Sequence, residues 1–227
     1  PQTMSLAPFA EPEIRSADLT GLMLDCAAWG VTDPAQLAWL DPPPVAALVA
    51  ARAELTAIGA LEPAGQVTAL GRQLRSLPLP PRLASMLVQA AQSGAARAAA
   101  EIAAVLVERG LGGNDTDVDV RLQAFRRDRS MRAQDMARLA RGWAQQVSGG
   151  LDSKARSGDD LSTAALLALA FPDRIAKARG ATGHYLLANG RAAALDPADP
   201  LSRAPFLVVA ELSGKAAATR ILLAARL

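Results

Sequence analysis

Apolar residues recur at helical spacing through most of this chain and change to short strand-like runs near its end. After Ser16, which reads as an N-cap, Leu19, Leu22, Met23, Cys26 and Ala27 share one helix face, and Gly30 ends it. Asp33-Pro34-Ala35-Gln36 has the form of a capping box with Pro at the first helical position, opening a short helix through Trp39. Asp41 reads as the cap of the next helix, with Pro42 to Pro44 at its start. Leu48, the Arg52 stem, Leu55 and Ile58 form its inner face, and Gly59 stops it. Glu62-Pro63-Ala64-Gly65 is turn chemistry between short apolar flanks, so 61–67 predicts a small hairpin. Thr68 then caps a short helix carrying Leu70, Leu74 and Leu77. By themselves these elements read as a small helical bundle with a hairpin.

Pro78, Pro80 and Pro81 make a stiff break. Beyond it Leu83, Met86, Leu87 and Ala90 form one stripe, and 95–109 forms another helix with Ile102, Val105 and Leu106 inward. A Gly/Asn/Asp-rich loop covers 110–117, and helix resumes over 119–125. One unbroken helix over 121–143 would set Arg129 and Arg132 in an apolar stripe, at high desolvation cost. The pattern therefore predicts a break at 128–130. The next helix buries Met136, Leu139, Ala140, Trp143 and Val147 and leaves Arg132, Arg138 and Arg141 wet. A polar Gly/Ser-rich stretch, 148–160, reads as a loop or linker, and 161–170 as an apolar helix. From Gly183 the period becomes strand-like over 184–188, 192–195, 205–212 and 219–227.

Composition narrows the class. Hydrophobic residues are 51% of the 227 and aromatics only 4%, so the core is built from Ala, Leu and Val, which favours helix. Cys26 and His184 are the single Cys and the single His, which rules out an internal disulfide or a Cys/His metal set. No apolar run is long enough to cross a bilayer as a helix. The start, without Met or signal pattern, is expected of a fragment, and the thiol usage fits a reducing cytoplasm.

The net charge is only +2, but it is unevenly spread. Residues 121–141 hold seven Arg against two Asp, and 171–191 hold Arg174, Lys177, Arg179 and Arg191 against Asp173. These segments carry +5 and +3, leaving −6 for the rest. Basic segments on an acidic background point to local contact with a polyanion. Lys154, Lys177 and Lys215 are the only lysines, and Arg suits bidentate phosphate contact. The plainer reading of the Arg excess is a GC-rich genome; the clustering is the more informative feature.

Several short runs fall in one order: S-A-D-L-T-G-L-M-L at 16–24, W-G-V-T-D-P at 29–34, L-D-P-P-P at 40–44, I-G-A-L at 58–61, L-G-R-Q-L at 70–74 and L-P-L-P-P-R-L at 77–83. Their order and spacing resemble the region that follows the motor in DEAH/RHA-type helicases, and most closely the bacterial HrpB-like ATP-dependent helicases. The F-P-D-R-I-A, Y-L-L-A-N-G-R and P-F-L-V-V-A-E-L runs at 171–176, 185–191 and 205–212 resemble the C-terminal part of the same family. The resemblance implies a mainly α chain. A linker from the motor would occupy 1–12, a winged helix 13–80, a helical ratchet (helicase-associated) domain 81–170 and an OB-like β domain 171–227. Because the sequence stops at Leu227 in strand-like residues, the expectation allows an incomplete barrel with an open edge.

The chain itself lacks motor chemistry. No Gly-x-x-x-x-Gly-Lys-Ser/Thr is present to hold phosphates, and Gly214-Lys215-Ala216 lacks the upstream glycine. There is no D-E-x-H. The resemblance implies ATP and Mg for two RecA-like motor domains upstream, no cofactor in this segment, and no ATP hydrolysis by it alone. Asp115, Asp117 and Asp119 mimic the start of a calcium loop, but its sixth and twelfth positions are Val120 and Arg126, so helix capping explains them better. Cys26 reads as core, His184 as structural or surface, and Trp29, Trp39 and Trp143 as core.

The remaining candidates are cationic. Arg126, Arg127, Arg129 and Arg132 surround the helix break. Arg174, Lys177, Arg179, His184, Tyr185 and Arg191 lie where the strands begin. Phosphate contact with one stacking aromatic suits single-stranded nucleic acid. The expected role is thus an accessory region that braces the motor in cis and guides single-stranded RNA, or DNA, with no membrane partner. The alternative is a protein-interaction module. A DNA-binding regulator fits poorly, since the helix at 43–58 offers only Arg52 against Glu54.

Overall fold

The computed structural model describes residues 12–149, 161–214 and 219–227. The sequence expectations for a linker over 1–12 and a loop over 148–160 therefore fall almost wholly outside them. The chain divides into two compact units, one running to Pro81 and the other starting at Arg82.

The first unit is helical with a minimal wing. Helix α1 is Thr20–Ala28, α2 Val45–Ala57 and α3 Ala69–Arg75. Both α2 and α3 follow the sequence pattern: Leu48, Leu55, Leu74 and Leu77 are buried, and Gly59 takes φ +75° at the end of α2. The wing is a single antiparallel bridge, Leu61 to Val67, closed by the Glu62 N–H donating to Gln66 O at 2.8 Å. The Thr68 hydroxyl accepts from Gly71 N at 2.9 Å and caps α3 as expected. Gly71, in the L-G-R-Q-L run, has a packing reason: a Cβ there would lie 2.1 Å from the Ala60 carbonyl oxygen. Only glycine lets α3 cross the base of the wing this closely.

Four local expectations fail in this unit. Ser16 does not cap α1; its hydroxyl bonds back to Glu13 O, and the Asp18 carboxylate accepts from Thr20 N at 2.8 Å instead. The second helix is one 3-10 turn, Pro34–Gln36: Leu37 is already extended, and Trp39 Nε1 donates to the Pro34 carbonyl at 2.7 Å. Pro44, with no side-chain bond, precedes α2 where Asp41 was expected to cap. Trp29 is 76% exposed, since it falls just past α1 where the chain turns away.

The second unit begins with α4 (Pro81–Gln92), α5 (Ala96–Val107), α6 (Val118–Arg127), α7 (Met131–Ser148) and α8 (Thr163–Ala170). The break between α6 and α7 lies at 128–130, as the charge pattern requires. Ser130 caps α7 by accepting from Ala133 N at 3.2 Å. Met136, Ala140, Trp143 and Val147 are buried; Leu139, expected with them, is 51% exposed because it lies on the edge of the stripe away from α5.

Five strands follow: β1 Ile175–Ala178, β2 His184–Leu187, β3 Ala192–Ala194, β4 Phe206–Ser213 and β5 Arg220–Arg226. They form a closed barrel in the order β1-β2-β3-β5-β4. The sequence left closure of the barrel open, and the five strands close it. Antiparallel pairing of β4 with β1, Ile175 opposite Val208, closes one side, and a parallel bridge from Ala194 to Arg220 closes the other. An irregularity at Glu211 bends β4. β1 was not foreseen as a strand. Its four residues, Ile-Ala-Lys-Ala, carry one inward side chain, Ala176, and are too short to show a period.

Helices and barrel pack against each other within this unit. Helix α8 lies on β4 and β5. Thr116 O accepts from Ala224 N at 2.9 Å, so the loop before α6 joins the barrel. Burial there pushes the Asp117 carboxyl up, against the opposing hydrogen bond it accepts from Asp119 N.

Candidate nucleic-acid interface

The helical part of the second unit presents an arginine-lined groove of about 820 Å3. Its walls are α5, α7 and the corner between α6 and α7. Small residues open it: Ala98 on α5 and Ala133 and Ala137 on α7 make a floor that larger side chains would fill, with Phe125 beneath. Five arginines line it, Arg97, Arg126, Arg129, Arg138 and Arg141, against two carboxylates, Glu101 and Asp128.

The local sequence fixes this corner. Asp128 accepts from Ser130 N at 2.8 Å, turning the chain, and the Gln134 side chain donates to Arg129 O at 2.8 Å. Arg126 and Arg127 occupy the last turn of α6, where the helix dipole favours cations. Glu101 is the electrostatic centre. Its side chain is 17% exposed and accepts from Arg126 Nε at 2.7 Å and from Arg97 Nε at 3.4 Å. Arg138 pairs with Asp135 on its own helix at 3.2 Å. Among the described residues, Arg129 and Arg141 have no ion pair.

Of the first predicted cluster, then, Arg126 and Arg129 share the groove. Arg127 is exposed but does not line it. Arg132 ties α7 to the end of α5, bonding the Glu108 carboxylate through Nε at 2.8 Å and the Arg109 carbonyl through Nη2. Arg97, Arg138 and Arg141 were not in the predicted set. The only signal for Arg97 is its helical spacing from Glu101.

The second cluster divides differently. Lys177, Arg179, His184 and Arg191 are exposed on the barrel, and Arg191 Nη2 reaches Thr219 Oγ1 at 3.3 Å. Arg174 is half-buried and structural: its guanidinium stacks 4.7 Å from the Phe171 ring and donates to Ala210 O at 2.8 Å. Tyr185 points into the barrel core at 2% exposure, and its hydroxyl lies 2.8 Å from Leu201 O and 2.9 Å from Ala204 O. It has no free face for a base. Burial raises its phenol above the usual range, with the Asp199 charge adding to this and Arg226 opposing it. The strand alternation placed Tyr185 and His184 on opposite faces, and the larger, apolar ring went inside.

Among the described residues no group of three or more His, Cys, Asp or Glu could hold a metal, and no helix is long and apolar enough to cross a membrane. Cys26 is buried in the first unit, and that burial, with Asp25 beside it, raises its thiol.

Similarity to known proteins agrees with this architecture. Residues 51–79 match the helicase associated domain (HA2), winged-helix family. The chain is 42% identical, over 95% of its length, to the ATP-dependent RNA helicase HrpB of Escherichia coli (strain K12), of which it covers 25%. It is 38% identical over 37% of its length to the probable ATP-dependent RNA helicase DHR2 of Saccharomyces cerevisiae, covering 12% of that protein. The crystal structure of the E. coli DExH-box NTPase HrpB superposes on all of the chain with a TM-score of 0.79 at 39% identity, 27% of that structure being covered. These likenesses, with the winged helix, helical domain and barrel in this order, define the C-terminal region of a DEAH/RHA-type helicase. Within that class the chain is of the HrpB-like kind. It spans about a quarter of the length of the HrpB it matches.

Proposed function

We propose that this chain is the accessory C-terminal part of an ATP-dependent RNA helicase, and that it contacts single-stranded nucleic acid while bracing a motor in cis. The observation that carries the reading is the excess of arginine over carboxylate in the groove of the helical part, five against two. Guanidinium groups grip phosphate in a geometry that does not depend on base sequence, as a strand in transit requires. We take 13–80 as the winged helix, 81–170 as the ratchet part and 171–227 as the barrel. ATP and Mg belong to the motor in this reading, and the setting is the cytoplasm.

A protein-contact role for the first unit has support of its own. Leu40 is 99% exposed, and Val45 and Val49, one turn apart on α2, are 70% and 64% exposed. Apolar side chains grouped in this way fit a protein face. The bracing role uses that face, and so does the alternative of an interaction module without nucleic-acid contact. Fluorescence anisotropy with labelled single-stranded and duplex RNA at low salt separates the two. Preference for the single strand supports the proposal, and no binding to either leaves the interaction module. The chain alone is expected not to hydrolyse ATP.

A further inference from the structure

We propose that a single strand lies in the groove between α5 and α7, and that Glu101 tunes its grip by competing with phosphate for Arg97 and Arg126. This rests on the reading that the chain contacts single-stranded nucleic acid, and it names the site.

Three observations carry it. First, the cations are of two kinds. Arg129 and Arg141 have no carboxylate partner among the described residues, whereas Arg126 and Arg97 both bond one acid, Glu101. A phosphate arriving at Arg129 or at Arg141 meets a guanidinium that is in no ion pair among the described residues, with Asp128 the nearest carboxylate in sequence along this wall. One arriving at Arg126 must share it with a carboxylate 2.7 Å away and is repelled by that carboxylate. Secondly, the floor is apolar. Ala98 and Ala137, with Phe125 below, offer a smooth surface to base faces, which need no sequence-specific hydrogen bonds to lie there. Thirdly, about 820 Å3 is the size of a pocket for a drug-sized molecule. It has room for a few nucleotides of a single strand.

The Glu101 competition has a functional sense. A strand that is translocated must be held and then released. A carboxylate already bonded to two of the five groove guanidiniums keeps them ordered between contacts and limits how tightly phosphate stays.

The test is anisotropy of a fluorescein-labelled oligouridylate titrated with the whole 227-residue chain and three variants at fixed low salt. Circular dichroism melts check that each variant is folded. Arg129→Gln/Arg141→Gln should weaken binding about tenfold and reduce the salt slope by about 1.4, two phosphate contacts at roughly 0.7 each. Glu101→Gln should tighten binding severalfold. Lys177→Gln/Arg179→Gln, on the barrel, should change it much less than the groove pair. The proposal is overturned if the groove pair binds like the parent chain, if Glu101→Gln leaves affinity unchanged or lowers it, or if polyglutamate displaces the RNA as well as unlabelled oligouridylate does. The last outcome would make the groove a face for an acidic protein. Absence of binding by the parent chain itself would remove the functional reading. Binding that depends on Lys177 and Arg179 but not on the groove would remove only the site assigned here.

Discussion

Arg82, at the start of α4, pairs with Asp173, ninety-one residues later, at an Nη1–Oδ1 distance of 2.6 Å. The same guanidinium donates to Ala170 O at 3.3 Å and lies 5.7 Å from the centre of the Phe171 ring, which Arg174 flanks at 4.7 Å. Two sequence runs far apart, L-P-L-P-P-R-L and F-P-D-R-I-A, therefore meet where the helices join the barrel. Their residues clamp the chain just ahead of β1.

Breaking that clamp should cost stability. Arg82→Ala removes a partly buried ion pair and a cation–π contact. About 1–3 kcal/mol is expected, with a fall in Tm of several degrees by circular dichroism. Asp173→Asn should cost less, because the amide oxygen still accepts a hydrogen bond. Equal melting of parent and Arg82→Ala would show the pair to be ornamental.

Gly71→Ala is expected to destabilise the first unit. The new Cβ would lie 2.1 Å from backbone, not from a side chain that could swing away. Overpacking of this kind costs about 1–3 kcal/mol, and α3 must shift off the wing to relieve it. Denaturant unfolding measures the loss. By contrast Gly21→Ala, where nothing lies within 4 Å of the new Cβ, should be neutral or mildly stabilising.

Tyr185 is the one tyrosine of the chain, so its ionisation can be followed directly by tyrosinate absorbance. Burial favours the neutral phenol. The folded protein should therefore titrate above the usual tyrosine value of about 10, and the denatured chain close to it. The sign follows by linkage: the contribution to stability is complete below that value and is lost as pH rises through the folded pKa. A normal titration in the folded chain would contradict the buried position. Tyr185→Phe should lose about 1–2 kcal/mol through its unmet carbonyl partner and leave RNA binding unchanged.

Much of this architecture was legible in the sequence because it rests on strong local signals. The charge argument placed the α6–α7 break at 128–130. Thr68 and the Glu62–Gly65 turn marked α3 and the wing, and the late strands announced themselves by period. The illegible parts depend on tertiary contact. β1 has one inward residue, and its identity as a strand comes from pairing with β2 and β4. Trp29 and Leu139 look like core by spacing, but no element among the described residues covers them. The same limit applies to the candidate site. Sequence clustering found Arg126 and Arg129, while Arg97 joins them only because α5 packs on α7. Composition could not separate a surface arginine from Arg174, which is bound to the Ala210 carbonyl across the barrel.

The most direct measurement is the affinity of the chain for single-stranded RNA as a function of salt. Three to five groove arginines on phosphate predict a linear fall of log Kobs with log salt concentration, with a slope of about −2 to −4. A slope near zero, or no binding at low salt, would contradict the account.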